Sequence, residues 1–331
     1  MRYIQYNSSG DPLNWPMGMA LFVDGSIGLF CNIFIIVTFF SSSDKTSFKL
    51  ICLIRAVNNT ITLWVMVTDA TPLTLGGFTF YPYVLEDFMW VFLMLIYGVN
   101  RHSLVILAFN RFVALYIPSK YNLLCGIKTT LAYFLIAYGY ELRLIPEIIM
   151  WYLSPDNEDP EDQFKSAFHP ETMTMFYDYI GQDDEYQDMN VNLAQENVME
   201  FCIGVLINLL TLGKLVYFYM YQTQLSTKAS KEKIKMNAVL FLQTILQDSM
   251  LIVDIVFMIF LQNWWRTRFW LFISYTFVWM NVHSTDGVVM LLFTEQKKHL
   301  VAFCRKYYPS AEGEHWAKIS PNSSKVPQAN K

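Results

Sequence analysis

The side chains best suited to chemistry sit in the least polar surroundings. FVWMNVHSTDGVVMLLF, residues 277–293, carries His283 and Asp286 in the middle of an apolar run. An ionisable pair in such a run points to a transporter, an enzyme or a receptor before a passive anchor. Trp279, His283, Asp286 and Met290 recur at i, i+4, i+7 and i+11, so they share one face of a helix. That stripe is aimed at other helices and not at lipid. Gly287, beside Asp286, allows a neighbouring helix to come close.

Arg101 and Asp248 are the other ionisable residues that fall near mid-depth of apolar runs. At a rise of about 1.5 Å per residue, Arg101 is level with both Asp248 and Asp286. One of these two carboxylates is therefore expected to neutralise it. Arg55 and Lys214 lie within two turns of a run's inner end, where a long side chain can snorkel to the interface. Asp69 marks an outer end, and Arg143 with Glu147 forms an i, i+4 pair.

The elements that position these residues follow from composition. Of 331 residues, 54% are hydrophobic and 16% charged, with a mean hydropathy of +0.28. A soluble domain is about a quarter charged, so the chain reads as an all-α polytopic membrane protein. Seven stretches can cross a bilayer: 18–40, 48–70, 84–109, 128–153, 198–221, 236–261 and 268–293. With the N-terminus outside, Lys45, Lys49, Arg111, Lys120, Lys128, the lysines of 228–235 and those of 297–306 all fall on the cytoplasmic side. Arg2, Lys165, Arg266 and Arg268 are left outside. This bias fits seven spans with the C-terminus inside, whereas six spans scatter the lysines on both sides. The expected organisation is an extracellular N-terminus (1–17), a seven-transmembrane domain (18–293), a juxtamembrane helix (294–308) and a disordered cytoplasmic tail (309–331).

Smaller signals fill in this frame. No basic leader with a cleavage site precedes the first span, which is expected to act as a signal anchor. Asn7-Ser8-Ser9 is a glycosylation sequon on the outer side. The loop 154–196 holds twelve acidic residues against one lysine, without the spacing of a calcium loop. Leu300, Phe303, Cys304 and Tyr307 form an apolar stripe on the juxtamembrane helix, with Cys304 a candidate for palmitoylation. Neither CxxC nor a Cys/His zinc spacing occurs, so no metal or other cofactor is called for. The net charge of −4 offers no footprint for nucleic acid.

Function classes can be weighed on the same residues. An intramembrane protease needs facing catalytic groups, yet Asp248 and Asp254 share one helix about 120° apart around its axis. No nucleophile motif accompanies them, and an enzyme is not expected. A transporter needs broken spans in matching halves; no repeat is found, and Pro146 is the clear in-span proline. A receptor needs a buried polar network that repacks and a cytoplasmic coupling surface. The receptor fits best, with a seven-span transporter or channel as the alternative.

Motifs in three spans then resemble one family. SLVILAFNRFVALYIPSKYNLL (103–124) is similar to the inner end of the third span in nematode serpentine chemoreceptors, with Asn110, Arg111 and Phe112 in place of Asp-Arg-Tyr. Gly28 and Asn32 in the first span, Ser47 and Phe48 opening the second, and FLQTILQD in the sixth fit the same pattern. WMNVHSTDGVVMLLFTE resembles the signature of serpentine receptor class x at Trp279, His283, Asp286, Gly287, Phe293 and Glu295. The resemblance spans about residues 25–300. It implies a rhodopsin-like G protein-coupled receptor for a small-molecule or peptide-like cue, in the plasma membrane of a sensory cilium. Arg111 is then expected to meet the C-terminus of a heterotrimeric Gα subunit. Arg101, Asp248, Trp279, His283 and Asp286 are expected to form the network that couples pocket to coupling face. Relatives tie the third span to the second external loop by a disulfide, and neither region has a cysteine here.

Overall fold

A computed structural model describes residues 2–3, 11–143, 145–146, 168, 184–222, 228–261, 264–265 and 267–293. Helix α1 (Asn14–Ser41) is 28 residues long, or about 42 Å, more than the roughly 30 Å of a hydrocarbon core. A short turn leads to Thr46, whose hydroxyl accepts from the Lys49 N–H and caps α2 (Ser47–Val65). This helix passes through a π-helical turn, Met66–Ala70, into α3 (Thr71–Gly76). Gly77 then stops it in the left-handed conformation, φ 65°. Pro82 precedes α4 (Tyr83–Tyr116). After the short α5 (Tyr121–Cys125), Gly126 introduces a bend of 48° into α6 (Ile127–Glu141).

Two helices outgrow the expected spans. Helix α7 (Asp184–Gln222) begins well before residue 198, within the acidic stretch expected to be loop. Asp184, Glu185 and Asp188 lie in its first turns, where negative charge suits the helix dipole. Helix α8 (Lys228–Val256) likewise takes in the lysine-rich segment, whose Ala, Lys and Glu favour helix. A π-helical turn, Phe257–Leu261, extends α8. Helix α9 (Arg268–Leu271) continues through a longer π-helical segment, Phe272–Phe277, into α10 (Val278–Phe293).

Seven helical runs overlap the seven expected stretches among the described residues, the fourth of them described only as far as residue 146. Four are long and apolar enough to cross a membrane, or five if the bent α5–α6 pair is one span. Helix α8 carries Gln243, Gln247, Asp248 and Asp254, and α10 alone is short, so both stand apart by composition or length. Helix α1 packs on α2 and α10; α10 on α8; α8 on α7; α7 on α4; and α4 on α2 and α6. Outward, Trp15, Phe40, Leu135, Ile136 and Leu206 are each 60–69% exposed, an apolar surface suited to lipid and not to water.

The ends of the runs also sort into sides. The strand β1 (Arg2–Tyr3) pairs antiparallel with β2 (Phe78–Thr79), in the connection between α3 and α4. Arg268, at the start of α9, bonds Asp11 at 2.7 Å. The N-terminus, this connection and the start of the last run therefore lie together. The backbone N–H of Leu13 and the Arg268 guanidinium hold the Asp11 carboxyl below its usual range.

Candidate functional site

The site is built around Asp286. Trp279, His283, Asp286 and Met290 are all buried, so the stripe on α10 faces inward. Close approach of α1 puts it there. A Cβ on Gly28 would meet the Ser284 backbone at 2.7 Å, and one on Gly287 would meet the Asn32 side chain at 2.5 Å. Glycines on both helices thus bring α1 and α10 together, in the manner of small-residue packing in membranes. Asn32 uses this proximity to donate to the carbonyls of Gly28 and His283, at 2.9 and 3.3 Å.

Arg55 is the counter-ion of Asp286. Its Nη2 reaches Oδ1 at 2.7 Å and its Nε reaches Oδ2 at 3.1 Å, a bidentate pair with both partners buried. The snorkelling expected of Arg55 is thus corrected. Its side chain turns inward because α2 packs directly on α10. Asn59 donates to Oδ2 at 2.7 Å and Gln247 to Oδ1 at 2.5 Å. Four donors from α2 and α8 fill the carboxylate's acceptor sites.

From this hub the polar contacts continue across the bundle. A carboxylate only accepts, so Asn59 must present its Nδ2 to Asp286 and its Oδ1 to His283, 2.8 Å from Nδ1. His283 therefore carries its proton on Nδ1. Asn100 of α4 donates to the same Asn59 oxygen at 3.1 Å, Asn58 donates to Asn100 at 3.0 Å, and the Tyr138 hydroxyl of α6 donates to Asn58 at 2.6 Å. Arg55, Asn59, Asn100, His283 and Asp286 line part of a small cavity of about 20 Å³, room for about one water. The rest of its wall is Tyr97, Leu104, Leu251 and Val282.

Arg101 does not pair with Asp248 or Asp286. Its Nη2 lies 3.5 Å from Glu141 and its Nη1 4.0 Å from Glu200. His102 sits between the same two carboxylates, with Nε2 2.8 Å from Glu141 and Nδ1 3.0 Å from Glu200. This is a second polar cluster, joining α4, α6 and α7, and Gly98 leaves room for the Glu141 carboxylate. The level of Arg101 fits the expected partners, but its direction does not. Asn100 faces the hub, and the next residue on a helix points about 100° away. Asp248 accepts from Asn208 of α7 at 2.7 Å.

Toward the C-terminal end of α4, Asn110 is buried and accepts from the Tyr121 hydroxyl at 3.3 Å. Phe112 stacks on Tyr116 at 4.4 Å between centroids. Arg111 lies over the Phe48 ring at 5.6 Å, and its guanidinium has no hydrogen-bond partner among the described residues. Asn7, Cys304 and the juxtamembrane helix lie outside the described residues.

Toward the N-terminal end of α4, Phe168 is fully buried and stacks on Trp90, 6.1 Å between centroids. The Trp90 indole donates to Asp69 at 3.0 Å, and the Thr79 hydroxyl donates to the same carboxylate at 2.6 Å. Ring stacking ties Phe168 to α4, and the Asp69 carboxylate joins Trp90 to Thr79. Sequence reasoning missed this tie, along with Arg55, Asn58, Asn59, Asn100 and Tyr138. The i, i+3, i+4 spacing of Arg55, Asn58 and Asn59 is the signal that could have found the α2 face.

Amphipathic helices with lipid-suited outer faces and a charged, hydrogen-bonded interior define a polytopic membrane protein. The family model described as serpentine type 7TM GPCR chemoreceptor Srx matches residues 22–294. The chain belongs to this family of seven-transmembrane receptors. Comparison with curated proteins finds no match.

Proposed function

We propose that the chain is a chemosensory receptor that binds a small external cue and activates a heterotrimeric G protein. Its topology in this reading is rhodopsin-like, with the N-terminus outside and the C-terminus cytoplasmic, in the plasma membrane of a sensory cilium. The observation that carries the reading is the family match across residues 22–294. The lysine-rich ends of α2 and α8 support the orientation through the positive-inside rule.

The geometry supplies parts such a receptor needs. Trp279 contacts Tyr97 on one side (6.1 Å between centroids) and His283 on the other (5.0 Å). His283 passes to Asn59, and Asn59 to Asp286 and Arg55. A shift of the outer aromatic layer thereby reaches the hub that joins α2, α8 and α10. Two arrangements of such a hub are a bistable element that a ligand can bias. Arg111, without a hydrogen-bonding partner of its own here, is available to the Gα C-terminus when the inner ends separate. In this reading Cys304 is an acylation site on the cytoplasmic side, and Asn7 is glycosylated outside.

The experiment is nucleotide exchange on Gα subunits by the receptor in lipid nanodiscs. Wild type accelerates exchange on one Gα class, and Arg111→Ala loses at least about tenfold of that rate while keeping its melting temperature. Exchange equal to that of empty nanodiscs with every Gα class, together with solute flux through the protein in vesicles, overturns the reading in favour of a transporter or channel.

A further inference from the structure

The hub leaves the fully buried Asp254 carboxylate unexplained. Asp254 lies on α8 about two turns from Gln247 and one turn from the cavity-lining Leu251. It is fully buried. The Tyr97 hydroxyl donates to its Oδ2 at 2.9 Å, while Oδ1 has no hydrogen-bond partner among the described residues. No lysine, arginine or histidine pairs with it among those residues. Asp286 and Glu141, by contrast, each face a buried cation. A lone carboxylate in so dry a place costs several kcal/mol unless a cation or proton joins it.

Two further features mark the place. The π-helical turn Phe257–Leu261 begins three residues beyond Asp254, and the π-helical segment Phe272–Phe277 ends two residues before Trp279. These two segments pack on each other. π-helical turns inside α-helices are rare and concentrate at functional sites. Tyr97, the carboxylate's bonded partner, packs its ring on Trp279, and such rings favour a cation, as the Arg101 guanidinium 5.8 Å over the Tyr97 ring illustrates.

We propose that Asp254 is the anchor for the ammonium group of a small cationic ligand, with Tyr97 and Trp279 as its aromatic walls. This rests on the receptor reading and narrows its ligand to amines. The ligand's N–H donates to the open Oδ1, and its entry parts the two π-helical segments. Because Tyr97 touches both Asp254 and Trp279, the ammonium acts at the head of the chain Tyr97–Trp279–His283–Asn59–Asp286. Binding and response are then coupled through contacts already in place.

The test uses aryl-alkyl primary amines, 2-phenylethylamine and tryptamine among them, each paired with the alcohol of the same skeleton. Purified receptor in nanodiscs is melted with each probe and assayed for exchange on Gα. At least one ammonium probe raises the melting temperature of wild type where its alcohol does not. Asp254→Asn keeps the melting temperature of the ligand-free protein and loses that shift, and Asp254→Glu retains it. The anchor is overturned if no ammonium probe exceeds its alcohol, or if the shift survives in Asp254→Asn. Exchange driven by alcohols alone, equally in wild type and Asp254→Asn, overturns the anchor and leaves the receptor reading standing. A charge-selective shift that Asp254→Asn removes supports the anchor, and absence of exchange beside it counts against the receptor reading alone.

Discussion

Asp286 and Asp254 are both buried acids facing the interior of one bundle, yet their surroundings differ. Among the described residues Asp286 receives four hydrogen bonds, two of them from Arg55, and belongs to a network reaching six helices. Among the described residues Asp254 receives one, from Tyr97. Charge burial in a membrane is tolerated when every lone pair is served and a counter-ion is fixed. The first site meets that condition from within the chain. Among the described residues the second has no such counter-ion, and in our proposal a ligand's ammonium supplies it. Structural fixation and ligand readiness thus meet α8 about two turns apart, at Gln247 and at Asp254.

The largest effect should come from breaking the served site. Arg55→Met leaves Asp286 buried without its cation and should cost about 3–5 kcal/mol, read as loss of folded receptor or a lowered melting temperature. Arg55→Met combined with Asp286→Met should recover most of that loss. Additive costs in the double variant would show that the two side chains are not a pair. Next comes the helix contact behind Asp286. Gly28→Val drives a side chain into the Ser284 backbone and should cost about 1–3 kcal/mol, whereas Gly139→Ala, with open space around it, should be neutral or better.

Arg101 sharpens the same comparison from a third place. Arg101→Met should destabilise the receptor by about 1–3 kcal/mol, since the nearby His102 shares the task of facing Glu141 and Glu200. Adding Glu141→Gln should restore stability, and adding Asp286→Asn or Asp248→Asn should not. The smallest effect is expected at the rim of the network. Tyr138→Phe removes one hydrogen bond to Asn58 and should cost about 0.6 kcal/mol, the average for such bonds within membranes.

Much of this arrangement could be read from residue order. The four-residue stripe on α10 follows from helical period alone, and all of it is buried. The approximate places of the seven runs follow from hydropathy. What order does not contain is how each helix is rotated about its axis. Arg55 and Arg101 both have carboxylates within reach by depth, and only packing of α2 on α10, and of α4 on α6 and α7, decides which is met. Asn58-Asn59-Thr60 reads as a misplaced sequon until α2 is turned toward Asp286. The π-helical turns add to the difficulty, because each shifts the facing of the residues beyond it. Phe168 illustrates another limit, since nothing in an acidic loop singles out one Phe as the residue that meets Trp90.

The comparison of the two acids is tested most directly by making the same isosteric change in both. Melting temperatures of Asp286→Asn and Asp254→Asn, measured side by side in nanodiscs without ligand, should diverge. Asp286→Asn strands a buried guanidinium and should lose about 3–5 kcal/mol, while Asp254→Asn strands no cation among the described residues and should lose far less. Equal losses in the two variants would contradict the division between a fixed hub and an open anchor.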